Sequence, residues 1–203
     1  MLYRKKGERE MEEKKKTDPR IVRTRRLLKD AFVELIQEID IEKLSVNRLA
    51  ERATINRVTF YLHYRDIPDM LEKMADEMMS NLIEVWKEAR AERNSAEETE
   101  KWHVMESVLH HIADNAAFYK IVFTSKRIPI FRDRLLAFLT ERIISRVERK
   151  GEESTVHKDI VIWYDSAAYM GTIVAWLQND MPYTPSYMAK QIYQLRHREL
   201  EER

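Results

Sequence analysis

SVNRLAERATINRVTFYLHYRD, residues 45–66, is the stretch that decides the fold. Two short helix-forming runs flank the turn Thr54-Ile55-Asn56, and Ser45 and Asn56 stand where N-capping side chains belong. Leu49, Ala50 and Ala53 share one face of the first run. In the second, at about 100° per residue, Phe60 and Tyr64 fall on one side and Val58, Thr59, Leu62 and His63 on the other. The first side is expected to pack on Leu49, Ala53 and Ile55, which leaves the second side outward.

A pair of short helices joined by a three-residue turn, following a longer helix, is the minimal reader of a DNA major groove, although an ordinary helical hairpin has the same pattern. The outward side carries suitable chemistry. Thr59 offers a hydroxyl and a methyl, Val58 a surface for a thymine methyl, and Arg57 a guanidinium for a guanine edge or a phosphate. Tyr61 and His63 can donate to phosphates, as can backbone N–H groups at the Ser45 cap. Charge is distributed to match. Residues 1–65 hold 17 Lys/Arg against 11 Asp/Glu, a net +6, whereas residues 66–203 hold 19 against 24, a net −5. A basic end joined to an acidic remainder suits a polyanionic partner at that end.

Outward from this stretch the chain reads as all-α, with about nine helices and no strand. Residues 1–16 are expected to form a disordered arm. Thr17-Asp18-Pro19 opens a helix over about 18–39, with Leu28, Ala31, Phe32, Leu35, Ile36 and Ile39 at helical spacing. Asp66-Ile67-Pro68-Asp69 starts a fourth helix whose stripe of Leu71, Met74, Ala75, Met78, Leu82, Val85, Trp86 and Ala89 lasts to about residue 91. A polar break follows, with Ser95 as a new cap. Further helices are expected from Trp102, over 115–124, near 129–149, over 156–179, and from about Ser186 to Arg198. The implied domains are a helix-turn-helix domain over 17–65 and a helical body over 66–203. No apolar run approaches the ~18 residues of a membrane span, and residues 1–16 have charges but no apolar signal core. With no cysteine, disulfides and thiolate sites are excluded, and the cytoplasm is the expected location.

Residues 45–66 closely resemble the DNA-binding signature of the TetR/AcrR family of transcriptional regulators. The likeness extends over about 20–75, taking in Arg23-Thr24-Arg25 early in the first helix and Asp69-Met70-Leu71 in the fourth. It implies an all-helical homodimer with an N-terminal operator reader and a C-terminal domain for effector binding and dimerisation. By resemblance, Ser45, Thr59, Tyr61 and His63 fall where members touch phosphates or base edges, and Arg57 and Val58 where they tune sequence choice. The candidate DNA contacts are completed by Arg23, Thr24, Val46, Asn56 and Arg65. Two departures stand out. Members often have Gly in the turn where this chain has Thr54, and Lys early in the fourth helix where it has Ile67, with Arg65 as a substitute charge.

Segments 117–139 (AFYKIVFTSKRIPIFRDRLLAFL) and 169–185 (YMGTIVAWLQNDMPYTP) resemble the C-terminal type of the dihydroxyacetone kinase regulators. An effector pocket is expected among the central helices, with Trp86, Trp102, Met105, Leu109, Phe118, Phe123, Phe138 and Tyr164 as candidate walls, joined by Tyr119 and Tyr169; ordinary core packing is the simpler reading for most of them. Ala167, Ala168 and Gly171 let another helix approach closely. Together with Val174 and the last helix's Met188, Ile192 and Leu195, they form the expected dimer interface, with intramolecular core as the alternative. His103, Glu106 and His110 share a helical face and can hold a metal only with a fourth group; a polar face is the simpler reading, and no metal or cofactor is expected. No catalytic constellation points to an enzyme. The leading reading is a regulator binding double-stranded operator DNA as a homodimer, a repressor released by an unknown small-molecule effector, with no membrane partner. The alternative, supported by Ile67, is a TetR-like co-regulator that works mainly through protein contacts.

Overall fold

Capping chemistry sets the first helix. In a computed structural model describing residues 18–95, 102–125, 127–150 and 156–197, the Asp18 carboxylate accepts the Arg20 N–H at 2.9 Å, and Pro19 sits in the first turn, where its missing N–H costs nothing. Helix α1, Pro19–Glu38, then buries Leu28, Ala31, Phe32 and Leu35. The expected arm over 1–16 lies outside the described residues. After a single 3-10 turn, Ile41–Lys43, α2 spans Val46–Arg52 with Ser45 Oγ accepting the Arg48 N–H at 3.3 Å. Helix α3 spans Arg57–Tyr61, with Asn56 Oδ1 accepting the Val58 N–H at 2.8 Å. It is shorter than the sequence suggests, because residues 62–64 close as turns, with the N–H groups of His63 and Tyr64 both donating to the Phe60 carbonyl at 2.9 Å.

Thr54 makes the turn between α2 and α3 with φ 55°, in the left-handed region. The Ile55 N–H returns to the Ala50 carbonyl at 2.9 Å and closes the turn. Arg52 ties α2 to α1. Its guanidinium donates to Glu38 at 2.8 and 2.6 Å and to Glu34 at 3.1 Å.

The chain divides into two units after Met70. Helix α4, Ile67–Ser95, starts in the first and continues in the second. Its start is fastened by the Asp69 N–H on Asp66 Oδ1 (2.8 Å) and the Arg65 N–H on Asp69 Oδ2 (2.9 Å). It runs past residue 91, so Ser95 lies within this helix rather than capping a new one. In the second unit follow α5, His103–Asp114; α6, Ala116–Thr124; α7, Pro129–Lys150; α8, Lys158–Gln178; and α9, Pro185–His197. Among the described residues these nine helices are joined by no strand.

Within that unit α7 packs along α8, α9 along α5, and α6 on both α7 and α8. Leu82, Leu109, Ile112, Val122, Phe123, Phe131 and Ile173 form its fully buried centre, each side chain stabilising the fold by about 1.5–3 kcal/mol. The one buried polar side chain among the described residues, Ser166, is satisfied, donating to the Ile162 carbonyl (2.6 Å) and accepting from Thr140 (3.1 Å). Helix α8 differs from the sequence expectation. By length and composition alone it is long and apolar enough to cross a membrane, because it is apolar on two sides. Met170, Ile173, Val174, Trp176 and Leu177 face the core, while Ile160, Trp163 and Tyr164 are exposed.

Candidate DNA-reading surface and ligand cavity

Helix α3 separates its two sides sharply. Phe60 and Tyr64 are buried, while Val58, Tyr61 and Leu62 are among the most exposed large apolar side chains of the unit. Arg57 is exposed, with its guanidinium carbon 5.9 Å from the Tyr61 ring centre. Thr59 and His63 are half-buried beside them. Arg57, Val58 and Tyr61 are thus exposed around the outer side of α3 with Thr59 half-buried at its edge, and Leu62 adds an exposed apolar side chain not among the candidate contacts. The remaining candidates have local structural duties as well. Ser45 and Asn56 cap helices, Thr24 donates to the Arg20 carbonyl at 2.9 Å, and Val46 is half-buried. Arg23 is exposed, and Arg65 is exposed with Nε 3.3 Å from Asp66. Burial, and then the charge of Arg25, hold the His63 imidazole below its ordinary pKa.

The second unit holds a cavity of about 290 Å³ that is partly open to solvent. Trp86 and Arg90 of α4, Met105 and Val108 of α5, and Tyr169 and Ile173 of α8 supply part of its wall. Trp102 closes one side against Tyr193 of α9, ring centres 5.8 Å apart. Helix α7 supplies Leu135, Phe138, Leu139, Arg142, Ile143 and Arg146, and α9 adds Ile192 and Arg196. The Phe138 ring meets Trp86 edge-on at 6.4 Å.

Four expected walls, Trp86, Trp102, Met105 and Phe138, line this cavity. Four do not. Leu109, Phe118 and Phe123 are buried in the core, because α5 and α6 turn those positions toward neighbouring helices. Tyr119 is buried too, with its hydroxyl 3.0 Å from His111 Nε2 and its phenol pushed above the ordinary pKa by burial. Tyr164 points away and is 73% exposed, whereas Tyr169, further along the same helix, does reach the cavity. Sequence reasoning missed the arginines. Arg142 and Arg146 occupy positions on the apolar stripe of α7 that runs through Leu135, Phe138, Leu139 and Ile143, and charges on a core-facing stripe were the available signal.

The expected interface residues separate as well. Ala167, Ala168 and Gly171 are exposed on α8, and a Cβ built on Gly171 meets nothing within 4 Å. Leu195 is exposed. Val174 and Met188, however, are buried inside the protomer and Ile192 lines the cavity, since α9 lies along α5. Helix α7 presents exposed apolar residues instead, Leu136 and Ile144. His103 pairs with Glu92 at 3.0 Å, and the Ser186 hydroxyl meets Glu106 near His110. Among the described residues no three metal-ligating side chains converge.

Residues 100–198 match the family model described as the transcriptional regulator C-terminal region, of the TetR type. A curated relative, the uncharacterized HTH-type transcriptional regulator YxbF of Bacillus subtilis, is 20% identical over 174 residues, covering 83% of this chain. The chain spans less than half of that relative, 43% of its length. Among solved structures, the fatty acid degradation regulator FadR of Bacillus halodurans is similar with a TM-score of 0.62 at 17% identity, over 89% of this chain and 96% of that one. The dihydroxyacetone kinase operon activator DhaS is similar with a TM-score of 0.57 at 19% identity, over 85% and 93%. FadR of Bacillus subtilis, solved in complex with stearoyl-CoA, is similar with a TM-score of 0.58 at 18% identity, over 83% and 95%. The C-terminal region, residues 100–198, is thus that of a TetR-type transcriptional regulator, and 83–89% of the chain shares its fold with these solved regulators.

Proposed function

We propose that the protein binds operator DNA as a homodimer in the cytoplasm and represses until a small molecule enters the cavity of its C-terminal unit. The observation that carries the reading is the outward face of α3, where Arg57, Val58, Thr59 and Tyr61 stand on a helix held from behind by Phe60 and Tyr64. That division gives a rigid mount and a base-reading surface in one turn and a half of helix. The domains follow as a reader over 17–65 and a regulatory body over 66–203.

The exposed face of α8, with Trp163 66% and Ile160 50% exposed, supports pairing of two protomers through α7 and α8, because large apolar patches are rarely left in water. The stearoyl-CoA complex of the Bacillus subtilis regulator supports ligand entry into this kind of body. Helix α4 is the element for transmission. It is continuous from Ile67, next to the reader, to Trp86 in the cavity wall. A ligand that prefers a shifted α4 changes the spacing of the two α3 helices, which must match one DNA turn of ~34–36 Å.

The test is selection of genomic fragments by the full-length chain, followed by footprinting. Protection of two half-sites about 10 bp apart supports the reading. Binding without sequence preference, or no binding, sinks it.

A further inference from the structure

The cavity is built for an anion. Arg90, Arg142, Arg146 and Arg196 line it, and among the described residues no Asp or Glu does. Two of the four are answered from behind, since Arg146 pairs with Asp165, and Arg196 Nε lies 3.8 Å from the same carboxylate. The other two share one ring. The guanidinium carbons of Arg142 and Arg90 lie 4.6 and 5.0 Å from the centre of Trp86. Arg142 also pairs with Glu141, a side chain 67% exposed, so water screens that partner. Arg90 meets no carboxylate among the described residues. Two like charges over one indole repel each other, and the ring quadrupole offsets only part of that. A further mark is Arg142 Nε, a buried donor with no hydrogen-bond partner. A desolvated donor left unmade is costly, and a carboxylate oxygen is one acceptor that would satisfy it.

The rest of the wall limits the other end of the ligand. Met105, Val108, Leu135, Leu139, Ile143 and Ile173 offer no polar side-chain atom. The volume, about 290 Å³, is at the small end of the ~300–1,000 Å³ range of small-molecule sites.

Resting on the reading of the cavity as the effector site, we propose that the effector is a compact organic carboxylate, an aromatic or medium-chain acid, whose carboxylate is held by Arg142 and Arg90 beside Trp86 and whose apolar body lies against α5, α7 and α8. The paired arginines select the charge, and the walls select the body. A long-chain acyl-CoA would extend well beyond this cavity.

Titration of the full-length protein with acid and alcohol pairs, octanoate against octanol and phenylpropanoate against phenylpropanol, tests the proposal by calorimetry and by quenching of tryptophan fluorescence. The acids are expected to bind at least about tenfold tighter than the alcohols, or ~1.4 kcal/mol. Arg142→Met keeps an apolar stem over Trp86 and is expected to erase that preference; Arg90→Met gives an independent second variant, and circular dichroism verifies that each is folded. Alcohols that bind as well as acids would overturn the proposal while leaving the cavity an effector site. Octanoyl-CoA binding where octanoate does not would overturn it as well. If none of the probes binds while operator DNA still does, the carboxylate assignment fails and the DNA reader stands.

Discussion

Phe60 and Tyr61 are neighbours in the chain with opposite duties. Their rings meet edge-on, centres 5.5 Å apart at 88°, with Phe60 fully buried and Tyr61 half exposed. One ring fixes the position of α3 and the other is available to a partner. Because the buried ring supports the exposed one, substitutions on the outward face should alter binding with little change in fold.

Arg57→Ala should therefore relax operator sequence preference and cost on the order of 1–3 kcal/mol at a base pair it reads. Tyr61→Phe should weaken binding to all sequences alike, since its hydroxyl is the group proposed to address phosphate. Competition titrations at fixed salt with matched and scrambled operators separate the two. Unchanged affinity in both variants refutes the assignment of α3 as reader.

The turn makes a stability prediction. Thr54 holds φ at 55°, a conformation costing a β-branched residue about 1–2 kcal/mol, and it is exposed, with no packing to lose. Glycine removes that strain but gives back about 0.4–1 kcal/mol of chain entropy. Thr54→Gly should therefore raise unfolding stability by about 0.5–1 kcal/mol with operator binding retained. Chemical denaturation decides, and a loss of stability contradicts the account of the turn.

His63 predicts a pH dependence of two signs. Its depressed pKa means that the unfolded chain takes up the proton more readily, so its contribution to stability is present above the ordinary histidine value of ~6.5 and is lost as pH falls below it. A phosphate nearby favours the charged imidazole, so operator binding should take up a proton and tighten over the same fall. Anisotropy titrations from about pH 7.5 to 5.5 should show the trend, and His63→Gln should flatten it. An equal slope in the variant assigns the proton elsewhere.

Assembly is tested on α8. Trp163→Glu places a charge on the exposed face without touching the protomer core and should split the dimer at micromolar concentration while preserving helical content. Sedimentation reads the result, and a wild type that is monomeric there removes the interface altogether.

Linkage between the cavity and the reader is the last prediction. A coupling of about 1–3 kcal/mol lowers operator affinity roughly 5- to 150-fold, and operator DNA must weaken ligand binding by the same factor. Trp86→Ala should weaken or uncouple ligand binding and leave operator binding by the unliganded protein intact. If ligand affinity is the same with and without saturating operator, allosteric release is wrong even where both sites are real.

The legible parts of the sequence were the local ones. Asp18, Ser45 and Asn56 form caps within three residues of themselves, and the spacing of Phe60 and Tyr64 fixes which side of α3 is buried. The cavity depends on which helices meet, and that is written nowhere near Arg90 or Arg142. Phe118 and Phe123 have the same aromatic character as Trp86 and Phe138, and only packing sends the first pair to the core and the second to the cavity wall. Helix α8 was ambiguous for a different reason. With apolar residues on both sides, its periodicity does not say which side turns inward, so Val174 and Gly171 looked alike although one is buried and the other exposed.

Two apolar sides on α8 also bear on gene dosage. With the proposed pairing, a newly made chain keeps an indole and a phenol ring in water until it meets a second copy. Below the pairing constant, the number of competent dimers follows the square of the number of chains, so halving expression cuts operator occupancy roughly fourfold. On the proposed function, control would then be a threshold in copy number as well as a response to a ligand, and a cell that dilutes the protein by growth without resynthesis would lose repression abruptly.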